Sequence, residues 1–171
     1  MPINNVEIKA RCTNPDQVRQ VLLGTGARAV GTDHQVDTYF VVPRGRLKLR
    51  AGRIENNLIF YHRPDQAGPK HSAVHLYPVH DPSELTALLE AALDTLVVVD
   101  KQREIFFIDH VKFHIDQVKE LGSFVEIEVI DHTATRPLAD LTDECDAFMR
   151  LLGISETDLI HHSYSDMLLE R

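Results

Sequence analysis

The chain has 171 residues, 43% of them hydrophobic, and a formal net charge of −8 at pH 7. This length is sufficient for one well-buried domain, which we expect to span residues 1–171, and the acidic charge argues against nucleic acid as a partner. The sequence predicts neither a signal peptide nor a membrane-spanning helix. Because its two cysteines, Cys12 and Cys145, lack C-x-x-C spacing, we expect reduced thiols and a cytoplasmic protein.

The predicted elements include long runs of consecutive strands. The predicted strands cover residues 6–11, 27–42, 46–51, 57–63, 72–79, 96–108, 110–116 and 123–131. Two predicted helices begin at Asn14-Pro15 and Asp81-Pro82, where a capping side chain precedes a proline, and others follow at 138–152 and near the C-terminal end. Because most strands follow one another without an intervening helix, the order predicts an antiparallel α+β fold rather than a parallel sheet.

Charged and apolar side chains alternate along most of these strands. Glu126 and Glu128, for example, alternate with apolar residues, as do Lys48 and Arg50. Since successive side chains of a strand point to opposite faces, the charged residues of each strand share one face. An open antiparallel sheet with a solvated face is one interpretation. The charged positions hold clustered Arg, Lys and Glu rather than Thr, Ser and Gln, which favours a closed sheet with its charged face turned inward.

The basic residues lie mostly in or beside the predicted strands, whereas the predicted helices are rich in Asp and Glu. An acidic exterior around a basic interior suits a small anionic ligand. The sequence contains no glycine-rich phosphate-binding loop, so phosphate binding is expected to depend on side chains.

A series of motifs along nearly the whole chain resembles the CYTH superfamily. The motifs are Asn5-x-Glu7-x-Lys9, Gln35-x-Asp37-x-Tyr39-Phe40, Gly45-Arg46-Leu47-Lys48-Leu49-Arg50, Tyr61-x-Arg63-Pro64-Asp65, Gly68-Pro69-Lys70-x-Ser72, Lys101-x-Arg103, His114-x-Asp116-x-Val118-x-x-Leu121-Gly122-x-Phe124-x-Glu126-x-Glu128 and Tyr164-Ser165-Asp166. This superfamily, also called the triphosphate tunnel metalloenzymes, includes class IV adenylyl cyclases, thiamine triphosphatases and inorganic triphosphatases. The sequence is most similar to the class IV adenylyl cyclase-like branch.

The resemblance implies an eight-stranded antiparallel β-barrel with flanking helices, whose charged tunnel binds a triphosphate. It implies Mg²⁺ or Mn²⁺ as the cofactor, and a hard cation of this kind prefers carboxylate and phosphate oxygens. The implied metal ligands are Glu7, Glu126 and Glu128. The implied triphosphate-binding residues are Lys9, Lys48, Arg50, Arg63, Lys70, Lys101, Arg103 and Lys112. Lys9 and Asp116 are the candidates for catalytic roles, although a carboxylate among bases, such as Asp116 or Asp37, can instead orient an arginine.

Two positions depart from the family pattern. Asn5 stands where the family usually has a glutamate, and an amide oxygen carries no charge for a second metal ion. Lys112 stands where related sequences commonly have arginine, so the charge is kept but the planar two-point contact is lost.

We therefore expect a divalent-metal-dependent enzyme whose partner is a small-molecule triphosphate: ATP, thiamine triphosphate or tripolyphosphate. The first expectation is an adenylyl cyclase-like reaction from ATP to cyclic AMP and pyrophosphate. The alternatives are a triphosphatase and a non-catalytic module that binds nucleotide or polyphosphate. No membrane or nucleic acid partner is expected, and homodimerisation is left open.

Overall fold

The computed structural model of the chain describes residues 3–62 and 70–171. This part of the chain contains eight strands, four α-helices and one short 3-10 helix over Glu156–Asp158. The strands are β1 (Ile3–Arg11), β2 (Arg28–Phe40), β3 (Arg46–Ala51), β4 (Asn57–His62), β5 (Lys70–Pro78), β6 (Thr95–Ile108), β7 (Val111–Val118) and β8 (Gly122–Asp131). The α-helices are α1 (Pro15–Gly24), α2 (Pro82–Ala92), α3 (Leu138–Leu151) and α4 (Tyr164–Leu169).

The strands close into a barrel in the order β1-β5-β4-β3-β2-β6-β7-β8. Every neighbouring pair is antiparallel, and β1 closes the ring by pairing with both β5 and β8. The structure therefore confirms the predicted eight-stranded α+β barrel and excludes the open sheet. The strand β1 begins earlier than predicted, because Asn4 and Asn5 continue the pairing with β8 although they are not apolar.

The hydrophobic core lies outside the barrel, between its wall and the helices. Outward-facing residues of β1, such as Ile8, pack in one cluster with Leu22 of α1 and Leu141 of α3, and all three are at most 1% exposed. Phe113 of β7 and Ile127 of β8 belong to the same cluster and are fully buried. Because these apolar side chains point outward, the side chains at the alternate positions of each strand line the barrel interior.

Two helices begin at the predicted caps. The Asn14 side chain accepts a hydrogen bond from the backbone N–H of Gln17 (3.1 Å), and Asp81 accepts one from Glu84 (3.0 Å). In α2, however, none of the residues, all of which the structure describes, is fully buried, and Leu88 is 61% exposed. Among the described helices none is long and apolar enough to cross a lipid bilayer.

One mouth of the barrel is closed by α4. Tyr164 of this helix packs on Tyr39, Phe124 and Val118, which occupy interior positions at the ends of their strands. Arg46 of β3 anchors the helix start by donating to the Ser163 hydroxyl (2.6 Å) and pairing with Asp166 (2.8 Å). The turn between β3 and β4 lies at the opposite mouth.

Candidate functional site: a charged tunnel

The barrel interior is a cavity of about 210 Å³. Its lining combines the inward-facing charged residues of most strands. Among the described residues, six cationic side chains line it: Lys9, Lys48, Arg50, Lys101, Arg103 and Lys112. The predicted alternation of charge along the strands thus corresponds to the inside of the barrel. Arg63 lies outside the described residues, as does the side chain of Lys70.

Asp37 organises one cluster of these cations. Its carboxylate accepts hydrogen bonds from Arg50 (2.9 and 2.8 Å), Lys101 (2.9 Å) and Lys48 (3.1 Å). Although burial opposes its charge, these cations hold the pKa of Asp37 well below its usual range. Burial lowers the pKa of Lys101 to about 7, with Arg50 and Arg103 adding to the shift and Asp37 opposing it. Since one carboxylate faces three cations, the cluster has an excess of positive charge available to an anion.

Asp116 organises the second cluster. Arg103 donates to both of its carboxylate oxygens (2.7 and 2.5 Å), and the Tyr164 hydroxyl donates to one of them (2.7 Å). Burial opposes the charge of Asp116, but Arg103 outweighs it, so the pKa is lowered. Lys9 lies over the Tyr164 ring, 4.0 Å from its centroid. These contacts favour the alternative in which Asp116 orients Arg103.

The predicted metal ligands lie on the neighbouring strands β1 and β8. Glu7 is directly opposite Glu128 in the strand pairing, and Lys9 is opposite Glu126. Glu126 contacts Lys9 (3.4 Å), Arg103 (3.1 Å) and Nδ1 of His114 (3.1 Å). The pairing thus brings all three predicted ligands onto one wall of the tunnel.

Glu128 has different surroundings from Glu126. Burial raises its pKa, with Glu7 and Glu126 adding to the shift and Lys112 opposing it. Its carboxylate accepts a hydrogen bond from Nδ2 of Asn5 (2.6 Å). The oxygen of the same amide, Oδ1 of Asn5, is buried without a hydrogen-bond partner.

A hard divalent cation fits this wall. No three Asp, Glu, His or Cys side chains in the described part of the chain already converge as a metal cage. The wall nevertheless offers oxygen donors, crowded carboxylates and an unsatisfied amide oxygen, and Mg²⁺ typically takes one or two carboxylates together with substrate phosphates. Glu7, Glu128 and Asn5 are the residues best placed to supply these oxygens.

His114 of β7 is buried and lies opposite Glu126 in the strand pairing. Burial and Arg103 lower its pKa to about 4, and the hydrogen bond to Glu126 opposes the shift, so the imidazole is neutral at pH 7. Its Nε2 atom is buried without a hydrogen-bond partner.

An apolar patch completes the cavity. Ile59 and Tyr61 of β4 and Val74 and Leu76 of β5 line the side opposite the Arg103–Asp116 pair, and Ile130 of β8 also lines the cavity. Leu76 is 46% exposed, so the patch is reachable from solvent.

Glu55, in the turn between β3 and β4, also lines the cavity and was not predicted from the sequence. Its carboxylate pairs with Lys112 and with Arg50 (3.3 Å). The strand pattern could not indicate it, because the turn has no two-residue period. The nearest sequence signal is the polar alternation of Asp33, Gln35 and Asp37 in β2. Asp33 binds the backbone of this turn, and Gln35 donates a hydrogen bond to Glu55.

The CYTH domain family model matches residues 4–164 of the chain. The chain belongs to the CYTH family. Solved structures share the fold over nearly the full length of this CYTH protein. The PH1012 protein of Pyrococcus horikoshii OT3 is 25% identical, with 97% of this chain and 98% of that chain covered and a TM-score of 0.81. No curated protein sequence matches the chain.

Two further structures carry functional names. A candidate adenylate cyclase of Vibrio parahaemolyticus is 20% identical, covering 96% of this chain and 97% of that one, with a TM-score of 0.80. HpAC1 of Hippeastrum, a candidate adenylyl cyclase with a dominant triphosphatase activity, is 15% identical, covering 96% and 94%, with a TM-score of 0.62. At these identities the two structures show that the fold is shared, and nothing beyond the fold.

Proposed function

We propose that this CYTH protein is a divalent-metal-dependent enzyme that converts ATP to cyclic AMP and pyrophosphate. The observation that carries the proposal is the placement of six tunnel cations beside the paired carboxylates of β1 and β8. Basic side chains neutralise a triphosphate, and carboxylates are the protein ligands of the metal that accompanies it. The Vibrio parahaemolyticus likeness is in keeping with the cyclase reaction.

The roles follow from position in the tunnel. Arg50, Lys48 and Lys101 bind one part of the triphosphate, and Arg103 and Lys9 bind the rest; Lys112, Arg63 and Lys70 are further candidates for phosphate contacts. Preorganised cations of this kind stabilise charge that develops on phosphate oxygens in the transition state.

Lys9 is proposed as the catalytic cation, because it lines the tunnel and its ammonium group lies 3.4 Å from the Glu126 carboxylate. Asp116 is proposed as a positioning residue that acts through Arg103.

Glu7 and Glu128, assisted by Asn5 and Glu126, are the proposed holders of Mg²⁺ or Mn²⁺. Bound there, the metal supplies positive charge to the phosphate oxygens. In the cyclase reaction the ribose 3′-hydroxyl releases its proton to solvent as its oxygen bonds to the α-phosphorus, and the bond from that phosphorus to the bridging oxygen of pyrophosphate breaks.

The apolar patch supports an organic triphosphate over inorganic tripolyphosphate as substrate. The side chains of Ile59, Tyr61 and Leu76 are apolar apart from the Tyr61 hydroxyl. They offer a phosphate little hydrogen bonding, but they offer contact area to a base or ring.

A triphosphatase is the second candidate, because the same clamp serves attack by water on the terminal phosphorus. The dominant triphosphatase activity of HpAC1, a protein with the same fold, favours keeping this candidate. Binding without turnover is the third outcome to be tested.

The deciding experiment is incubation of the protein with Mg²⁺ or Mn²⁺ and, separately, ATP, thiamine triphosphate and tripolyphosphate. Cyclic AMP with pyrophosphate supports the cyclase, orthophosphate supports the triphosphatase, and binding without product supports the non-catalytic module. Glu128→Gln should abolish metal-dependent turnover, whereas Glu120→Gln, which removes an exposed carboxylate, should not. Full activity of Glu128→Gln would overturn the metal assignment.

A further inference from the structure

Glu55 lies across the tunnel from its main partner. The turn that carries it joins β3 to β4, whereas Lys112 belongs to β7, and at least two strands separate them around the ring in either direction. Their ion pair therefore spans the lumen at the mouth opposite α4. A triphosphate that enters this end of the tunnel meets the pair directly.

The backbone of the turn is held independently of the Glu55 side chain. Asp33, which is fully buried, accepts hydrogen bonds from the backbone N–H groups of Arg53 (2.6 Å), Ile54 (3.0 Å) and Glu55 (3.0 Å). Gly52 contributes by its lack of a side chain, because a Cβ atom there would lie 2.5 Å from an Asp33 oxygen. The Glu55 side chain can therefore change rotamer while the turn stays in place.

The Glu55 carboxylate makes the contacts that a phosphate group makes. It pairs with Lys112 and Arg50, and it accepts a hydrogen bond from the amide of Gln35 (3.0 Å). Burial opposes its charge, but Lys112 and Arg50 outweigh burial and hold its pKa well below the usual range. Glu55 is thus an anion already bound to Arg50 and Lys112, two of the cations proposed to contact phosphate.

We propose that Glu55 sets the anion selectivity of the tunnel by occupying a phosphate position between Lys112 and Arg50 until a triphosphate replaces it. This inference rests on the proposed function. Replacement releases Lys112 and Arg50 for the incoming phosphate. A weakly bound anion of low charge cannot compete with a tethered carboxylate, so the tunnel favours a highly charged triphosphate over orthophosphate.

The test is isothermal titration calorimetry of tripolyphosphate and orthophosphate with the wild-type chain and Glu55→Gln, in EDTA and again with Mg²⁺. The amide keeps the shape of the side chain and removes the competing charge. We expect Glu55→Gln to bind tripolyphosphate in EDTA about tenfold more tightly, or better, because a like charge beside the bound anion is lost. Orthophosphate, which the wild-type tunnel excludes, should become a measurable ligand of the variant.

Glu90→Gln is the matched control. It removes the same charge from an exposed position on α2, so it separates competition inside the tunnel from a change in net charge. This variant should bind both anions as the wild-type chain does. Glu55→Ser repeats the removal of the carboxylate with a side chain too short to reach Lys112, and it should also bind tightly.

Unchanged or weaker anion binding by both Glu55 variants, with their thermal midpoints intact, would overturn the role of Glu55. Loss of binding only in the presence of Mg²⁺ would also overturn it, because Glu55 would then be a metal ligand. If neither the wild-type chain nor the variants bind tripolyphosphate under any condition, the triphosphate function itself fails.

Discussion

At the scale of single residues, the tunnel is governed by buried carboxylates that hold its cations in place. Asp37 contacts Lys48, Arg50 and Lys101. Asp116 contacts Arg103, which also contacts Glu126. Both carboxylates fix the direction of the cations, and Asp37, which faces three of them, does so without cancelling all of their charge. The empty tunnel is therefore prepared for an anion before it arrives.

Lys101 should make binding of the triphosphate dependent on pH. Its pKa of about 7 lies below its ordinary value of 10.5, so much of the population is neutral at pH 8 in the empty tunnel. A bound anion favours the charged ammonium group and raises this pKa, so binding at pH 8 should take up a proton. Calorimetric titrations of tripolyphosphate in buffers of different ionisation enthalpy measure this uptake. Lys101→Met should show less uptake, and equal uptake in both proteins would contradict the assignment.

Asp116→Asn should strongly destabilise the fold, since it leaves Arg103 buried with its main counter-charge removed. Breaking a buried ion pair costs roughly 3–5 kcal/mol, whereas a partly exposed pair costs roughly 1 kcal/mol or less. Glu104→Gln is the matched control, because Arg19 and Glu104 form a similar two-point pair with exposed fractions of 33% and 24%. Urea denaturation measures the free energy of unfolding of both variants. Equal losses would show that burial does not make the Arg103–Asp116 pair more important for stability than the partly exposed pair.

At the scale of elements, strand parity was predictable and turn contacts were not. The alternation in β1, β7 and β8 predicted which side chains face the tunnel, because an inward position recurs every second residue. The place of Glu55 depends on how Asp33 binds the turn after β3, which no local pattern encodes. The Asp81-Pro82 cap predicted α2 correctly but not the exposure of its side chains, since burial depends on the surface that the helix meets.

Gly52→Ala should destabilise the β3–β4 turn. The added Cβ atom would approach an Asp33 oxygen to 2.5 Å and the Glu55 carbonyl oxygen to 2.8 Å, so the turn or the carboxylate must shift. We expect a loss of roughly 1–3 kcal/mol in the free energy of unfolding, measured by chemical denaturation. Gly24→Ala is the control, because a Cβ atom there meets nothing within 4 Å, and it should be neutral or stabilising by up to about 1 kcal/mol. A neutral Gly52→Ala would show that the turn is not held as described.

At the scale of the whole molecule, the closed ring was predictable because nearly every strand has charged side chains at alternate positions. The order of strands around the ring was not, since it depends on pairings between residues far apart in sequence, such as β1 with both β5 and β8. Closure of one mouth by α4 was likewise beyond the pattern, because Tyr164 belongs to a short helix whose apolar residues contact several strands at once.

Ligand binding should stabilise the whole barrel, because its cations come from strands all around the ring. Tripolyphosphate with Mg²⁺, at about 100 times its dissociation constant, should add roughly 2.7 kcal/mol to the free energy of unfolding. Thermal unfolding followed across a concentration series measures the shift, and Arg103→Met should reduce it at a fixed concentration. Absence of any shift in the wild-type chain would argue against a triphosphate site in the tunnel.

The hydrophobic core and the tunnel use opposite faces of the same strands. Phe113 packs outward against the helices, whereas Lys112 and His114 on either side of it point inward. Evolution can therefore replace inward residues, and with them the substrate, while the outward residues continue to fold the chain. Asn5 and Lys112 are both inward positions of this kind, so a barrel of this design can acquire new specificity without rebuilding its core.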